Sequence, residues 1–237
     1  MEEQPGIQKA IIRIVGTSHI ARKSAAEIRR VAAEFQPDII AVELDARRLD
    51  ALKEQAKGAK DGKLPLSMMR DVGVTGYLFL VLGRALQKRI GNVLDVQPGI
   101  DMLAAVNIAL NEQKPLFLVD QDIIVTMKHL SQKFTFKEKM RVLWDVVSAP
   151  FVREKVKFDP RSVPKDDLLK QLIGLLKQRY PSLYNVLIVE RNVVMARNLD
   201  AIVRKNPGKK ILLVIGAGHD DDLRQRLKHL ERLATIA

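Results

Sequence analysis

"KKILLVIGAGHDDDL", residues 209–223, carries the reading that decides the fold. An apolar run of strand length, residues 211–215, stops at Gly216, and His219 follows three positions later. "IIRIVGTSHIA", residues 11–21, repeats the pattern near the other end of the chain, with Gly16 and His19 after an apolar run at residues 10–15. Uninterrupted runs of this kind fit strands buried on both faces, as in a parallel sheet. Each glycine permits a sharp exit from its strand, and the histidine can then point back over the sheet edge.

Two more runs lie between these, residues 39–42 in "PDIIAVELD" and residues 116–119 in "KPLFLVDQD". Helical patterns separate the four. Ser24 and Glu27 in "SAAEIRRVAAEF" have capping-box spacing and predict a helix that starts there. A second helix begins near Ala46, a third covers about residues 101–111, and the last follows the GAGH turn to about Leu233. This alternation predicts an α/β fold, a small and mainly parallel sheet joined by crossovers and flanked by many helices. Two long segments without a strand pattern, about residues 46–115 and 122–208, are read as helical insertions, the second broken by five prolines. There is no internal repeat, and residues 1–237 are read as one domain.

Composition narrows the chemistry. The chain has no cysteine, which excludes disulfides, thiolate metal sites and cysteine nucleophiles. Any metal must rest on His, Asp and Glu. The amino terminus, "MEEQPGIQKA", lacks the apolar core of a secretory signal, so a cytoplasmic location is expected. Residues 72–86 form the most apolar stretch, shorter than the roughly 20 residues of a spanning helix and interrupted by Arg84; a buried or cleft-lining helix is expected. The net charge of +12 raises the question of a nucleic acid or an anionic surface. The basic residues are scattered among 28 acids, with three tyrosines and one tryptophan for base stacking, so a solvated basic surface is expected and no specific nucleic-acid partner.

The carboxyl ends of the four strands deliver the candidate site. They supply His19, Glu43 and Asp45, Asp120 and Asp122, and His219, and open parallel sheets bind ligands at that edge. Two histidines with a carboxylate form a His/His/Glu set suited to a divalent ion. The alternative is that each histidine bonds a loop carbonyl and caps its helix. His129 and His229 fall in polar helical stretches and are read as surface residues. "GAGHDD" lacks the third glycine of a dinucleotide fingerprint, and its acids at the helix start disfavour phosphate. In "PSLYNVLIVERNVVMARNLDAIVRK", read as a long helix after Pro181, Glu190 has apolar residues at three and four positions on both sides. A carboxylate in that stripe needs a partner: either an arginine of another helix, or a place in the site where burial would raise its pKa toward that of a base.

Taken in order, "GTSHIARKSAAEIRRVAAEFQPDIIAVELDARRLDAL", "PGIDMLAAVNIALNEQKPLFLVDQDIIVTM", "VERNVVMARNL" and "LVIGAGHDDDL" resemble the blocks of the TraB family. That group comprises pheromone-shutdown and GumN-type proteins and is related to the Tiki metalloproteases. The resemblance runs from about Ile11 to Leu223. It implies a sheet of the erythromycin-esterase and ChaN type, a cleft with two histidines and a glutamate, and a manganese or cobalt ion. Carried over, the ion would be held by His19, Glu43 and His219, while Arg47, Asp120, Glu190 and Arg191 match further family positions. The chain departs from the pattern with Asp101 in place of a glutamate, Gln121 in place of an arginine, "ERN" for Glu-Arg-Asp, and no Pro-Gly after His219. Many microbial relatives carry membrane helices after this domain, so membrane attachment is expected only through a segment absent from this chain.

These observations lead to a metal-assisted hydrolase acting on a peptide or a small amide or ester. A manganese, cobalt or zinc ion on His19, Glu43 and His219 would polarise the carbonyl and activate water. Glu190, or Glu43 if it is not a ligand, would take the proton. Arg47 and Arg191 would bind a substrate carboxylate or the oxyanion, with Asp120 beside them. The rival readings are a cleft that sequesters a peptide pheromone without cleaving it, and a basic protein of nucleic acids or membrane surfaces.

Overall fold

The computed structural model describes residues 9–17, 21–59, 64–94, 100–152, 165–230 and 234–236. Strand β1 (Ala10–Thr17) leads to helix α1 (Ala21–Phe35), and β2 (Ile39–Val42) to α2 (Ala46–Ala56), α3 (Met68–Leu94) and α4 (Ile100–Asn111). After β3 (Leu116–Leu118) come α5 (Ile123–Lys133), α6 (Phe136–Val152), α7 (Lys165–Arg179) and the short α8 (Pro181–Tyr184). A π-helical turn over Asn185–Glu190 joins α8 to α9 (Arg191–Lys205). The chain then adds β4 (Lys210–Gly216), α10 (Ala217–Leu227) and β5 (Ala234–Ile236).

Among the described residues five strands lie in the order β3-β2-β4-β1-β5, and all their pairings are parallel. The two apolar runs that carry Gly-x-x-His are therefore neighbours at the centre of the sheet, with Thr17 opposite Gly216. Alternation along the strands divides the core into two layers. Ile211, Leu213 and Ile215 face α9 and α10, through residues such as Met195, Leu199 and Leu223. Leu212 and Val214 face α1 and α4, through Ile28, Val31, Ala105 and Val106. Both faces are covered by helices, as a parallel sheet requires.

Several expectations change in detail. β5 adds a strand that the apolar pattern does not mark, because three residues pairing with residues 10–12 leave too short a pattern to read. Helix α1 begins at Ala21, ahead of Ser24, and the Glu27 carboxylate accepts hydrogen bonds from Arg30 one turn later, so no capping box forms there. The chain does contain a capping box at α6: Glu138 N–H donates to Thr135 Oγ1, and Glu138 Oε2 accepts from Thr135 N–H. Neither Gly16 nor the extended Gly216 has a positive φ, so no sharp strand exit needs them. At Gly16 the absent side chain makes room for the Asp220 carboxylate, whose Oδ2 would lie 3.1 Å from an added Cβ.

No strand occurs among the described residues of 46–115 or 122–208. Helices α4 and α9 nevertheless belong to the sheet layers, and the true addition is a helical roof. Val72, Met127, Leu130, Phe134, Leu183 and Val186 form its core. Within it α3 packs against α5. Helix α3 kinks at Gly73 (φ 74°), where Ser131 Oγ accepts from Gly76 N–H and donates to Val72 O. A Cβ on Gly76 would lie 2.5 Å from the Met127 carbonyl oxygen. The apolar stretch of α3 is only half buried: Val72 is enclosed, but Val74, Leu78 and Leu82 are exposed. Among the described residues no helix is long and apolar enough to cross a membrane.

The Gly76 contact yields a stability test. Gly76→Ala forces two backbones apart and should cost about 1–3 kcal/mol. Gly83→Ala, on the same helix with nothing within 4 Å of the added Cβ, should be neutral or should stabilise by up to about 1 kcal/mol. Urea unfolding of the two variants checks the contrast.

Candidate functional site

Pairing continues past the last strand residues and lines up the side chains that follow them. Glu43 N–H donates to Val214 O at 3.0 Å, Val119 N–H to Val42 O at 3.1 Å, and Asp120 N–H to Leu44 O at 3.3 Å. Glu43 and Asp120 thus stand in one row beside Gly216, at the carboxyl edge of the sheet. Helix α9 packs on the sheet through Met195 and Leu199, and Arg191 lies one turn before Met195 on that face. Its guanidinium therefore enters the row of carboxylates.

All five guanidinium N–H groups are used. Nε donates to Asp120 Oδ1 (2.9 Å), and Nη2 donates to Asp120 Oδ2 (2.7 Å) and to Glu43 Oε1 (2.5 Å). Nη1 donates to Leu187 O and to His219 Nε2, both at 3.2 Å. Arg48 Nη1 adds a second cation at 2.6 Å from Asp120 Oδ2, and Gly216 N–H donates to Glu43 Oε2 at 2.7 Å. Two guanidiniums thus face two carboxylates. Burial alone would raise the Asp120 carboxyl, but Arg191 and Arg48 outweigh it and hold it below the ordinary range. The Arg191 guanidinium is pushed up by Asp120 and Glu43 against its own burial.

His219 sits in the first turn of α10, buried, with Nδ1 2.6 Å from Asn192 Oδ1. Asn192 Nδ2 donates to Asp222 Oδ2 at 2.6 Å, which turns the amide oxygen toward the ring. The partners therefore assign Nδ1 as the N–H and leave the Nε2 lone pair facing Arg191 and Glu43, whose Oε1 is 3.4 Å away. Burial lowers the imidazole pKa, Glu43 opposes this, and Arg191 reinforces it, so the ring is neutral.

The remaining expected residues fall in different places. His19 lies outside the described residues. Glu190 does not join this cluster: its carboxylate accepts from Asn185 Nδ2, contacts His129 Nδ1 at 2.7 Å and pairs with Lys133 at 2.8 Å. Burial would raise its pKa, but Lys133 and His129 bring it below the ordinary value, the opposite of a carboxyl tuned as a base. Arg47 is exposed on the rim, 3.4 Å from Asp122. The sequence reading missed Arg48 and Asn192. Asp45 caps α2 by accepting from Arg48 N–H, which fixes the first turn and leaves Arg48 to reach Asp120. Asn192 is i−3 from buried Met195, a signal available in the pattern of α9 itself.

The TraB/PrgY/gumN family model matches residues 6–227. The chain belongs to that family. An uncharacterized protein of Methanocaldococcus jannaschii is 32% identical over 235 residues, covering 95% of this chain and 55% of that protein. TraB domain-containing proteins of Bos taurus and Homo sapiens are each 27% identical, covering 88% of this chain and 60% of theirs. The chain spans little more than half the length of these relatives. Three of the residues that depart from the family pattern, Asp101, Gln121 and Asn192, are buried: Asp101 Oδ1 accepts from Met102 N–H at the start of α4, and Gln121 Nε2 donates to Thr126 Oγ1.

Asp120, whose side chain is fully enclosed between two arginines, gives the site's stability test. Asp120→Asn leaves Arg191 and Arg48 short of one negative charge and should destabilise the fold by about 3–5 kcal/mol. The folded carboxyl titrates below its unfolded value of about 3.9. Its contribution is therefore complete above about pH 4 and disappears as pH falls below that. Unfolding curves between about pH 2 and 7 should show a smaller acid loss for Asp120→Asn than for the parent.

Proposed function

We propose that the chain is a divalent-metal-dependent hydrolase of peptides or small amides and esters, with its centre at Glu43 and His219. The observation that carries this reading is the neutral His219, held by Asn192 with its Nε2 lone pair 3.4 Å from a Glu43 oxygen. Two ligands of one tetrahedral ion at bonds of about 2.0–2.1 Å stand about this far apart, so the spacing of these two donors fits, although among the described residues no group of three such side chains is gathered. Two polar atoms on the strand ends support a ligand at this edge. Thr17 Oγ1 and Asp45 Oδ2 are buried with no hydrogen-bond partner among the described residues.

Glu43, His219 and His19 would hold the ion, whether manganese, cobalt or zinc. Such an ion supplies Lewis acidity and lowers the pKa of a bound water. The protein's own contribution is positioning. Asn192, backed by Asp222, fixes the imidazole tautomer, and Gly216 N–H and Arg191 fix the Glu43 carboxylate. Arg191 has no N–H left for a substrate, so it serves as a positioning residue, and the exposed Arg47 is the guanidinium suited to a peptide carboxylate. Glu190 is held by α5, away from this centre, so Glu43 would take the proton only if it is not a ligand of the ion. The sequestering reading also has an observation behind it: Arg191 already occupies the cation's place, and the cluster is balanced without an ion.

Elemental analysis after dialysis against manganese, cobalt or zinc, with mass spectrometry of a peptide library, separates these readings. About one ion per chain is expected, with cleavage products. His19→Ala, His219→Ala and Glu43→Gln should each lose most of the ion and all turnover, and the double histidine variant should be little worse than either single one. Glu190→Gln should keep its ion. Equal metal in all variants, with peptides retained uncut, makes the sequestering protein the correct reading.

A further inference from the structure

Helix α6 shows an apolar stripe on the wrong side for a core. Phe136, Met140, Leu143, Trp144 and Val147 follow one another by four, three, one and three residues, which places them on a single helical face. All five are exposed, Phe136 by 75% and Trp144 by 69%. The opposite face is the one that packs. Glu138 is buried there, where Ser182 N–H donates to its Oε1, and Val142 joins the roof core. Asp145 is held on that side by Arg179 and Tyr180.

The rim of the stripe is basic. At about 100° per residue, Lys137 falls along one border and Lys139 along the other, while Arg141 turns toward the packed side and donates to the Arg179 carbonyl. The acids of the described part of the helix, Glu138 and Asp145, are the inward, partnered ones just described. A second apolar face in the same roof, Val74, Leu78 and Leu82 of α3, is also exposed, and residues 72–86 contain no acid. Contiguous apolar surface of this kind marks an interaction site.

We infer that α6 docks in the plane of an anionic lipid bilayer, with Phe136, Leu143 and Trp144 among the headgroups and acyl boundary, and Lys137 and Lys139 on anionic lipid. Charge decides the occupant. A second copy of the chain on the same stripe would set two lysine-bearing rims against each other in a self-complementary interface. Anionic headgroups turn the same rim attractive, each basic residue adding roughly fivefold to affinity. Aromatic and aliphatic residues on one face with lysines beside them are the features of a helix that lies on a membrane. The helix does not cross it. Part of the +12 charge, read from sequence as a solvated surface, thereby gains a partner.

Trp144 is the only tryptophan of the chain, so its emission reports this face without labelling. The full chain is mixed with phosphatidylcholine vesicles containing about 30% phosphatidylserine at about 0.05 M salt. A blue shift, quenching by brominated acyl chains and co-sedimentation are expected. Affinity should drop at least about tenfold with pure phosphatidylcholine, with the Lys137→Glu/Lys139→Glu variant, and with Leu143→Asp. These substitutions are at exposed positions, and unchanged circular dichroism and melting show that folding is intact. The inference is overturned if the anionic vesicles produce neither shift nor sedimentation, or if the variants bind as well as the parent. It is also overturned if the blue shift grows with protein concentration without lipid and tracks a dimer by sedimentation, because the occupant is then a second copy.

Discussion

A buried guanidinium is tolerated when every one of its donors finds an acceptor, and Arg191 meets that condition from four separate parts of the chain. Glu43 comes from the end of β2, Asp120 from the end of β3, His219 from α10 and the Leu187 carbonyl from the π turn. None of these groups is local to another in sequence. They meet because a parallel sheet in the order β3-β2-β4-β1-β5 brings its carboxyl ends to one edge, and because α9 lies across that edge. Losing one acceptor exposes the whole set to the several-kcal/mol penalty of an uncompensated buried charge. The cluster and the sheet order therefore specify each other.

The sheet was legible in the sequence because it lies between two helical layers, so that four apolar runs stood out without any need to judge alternation. The strand-end residues were legible for the same reason: once the strands are placed, Glu43, Asp120 and His219 must follow them. What failed was phase. Reading forward from Val186 with a 3.6-residue period puts Glu190 on the apolar stripe. Reading backward from Met195 and Leu199 along α9 puts Arg191 and Asn192 there instead. The π turn lies between the two readings, and its wider repeat stacks Asn185 on Glu190, five residues apart, where their side chains hydrogen-bond. A periodicity argument that assumes one continuous α-helix misassigns the residues on one side of such a turn. The capping box failed differently. Ser-x-x-Glu at Ser24 lost to an available cation, Arg30, whereas Thr135 and Glu138 keep the reciprocal bonds.

The neutral state of His219 follows from its neighbours. A protonated ring would carry N–H on both nitrogens and turn one of them on the Nη1 donor of Arg191, in a site with little water to screen the repulsion. Asn192 then selects between the two neutral tautomers, because its amide is itself oriented by Asp222 and Arg226. A surface ion pair on α10 thus fixes, through one amide, which imidazole nitrogen keeps its lone pair at the sheet edge. The "GHDDD" acids, which from sequence alone only disfavour a phosphate, have this second consequence.

Glu190 and Arg191 point the same backbone turn in two directions. Glu190 reaches into the helical roof, to Lys133 and His129 of α5, while Arg191 reaches into the sheet edge. The Glu190 side chain is only 17% exposed. Lys133 and His129 of α5 thus supply the charge compensation that a mostly enclosed carboxylate needs, while the adjacent Arg191 supplies the same to Glu43 and Asp120. The π turn is where the roof and the sheet edge each receive one of two neighbouring charges, because its extra residue per turn sets Glu190 and Arg191 in different directions.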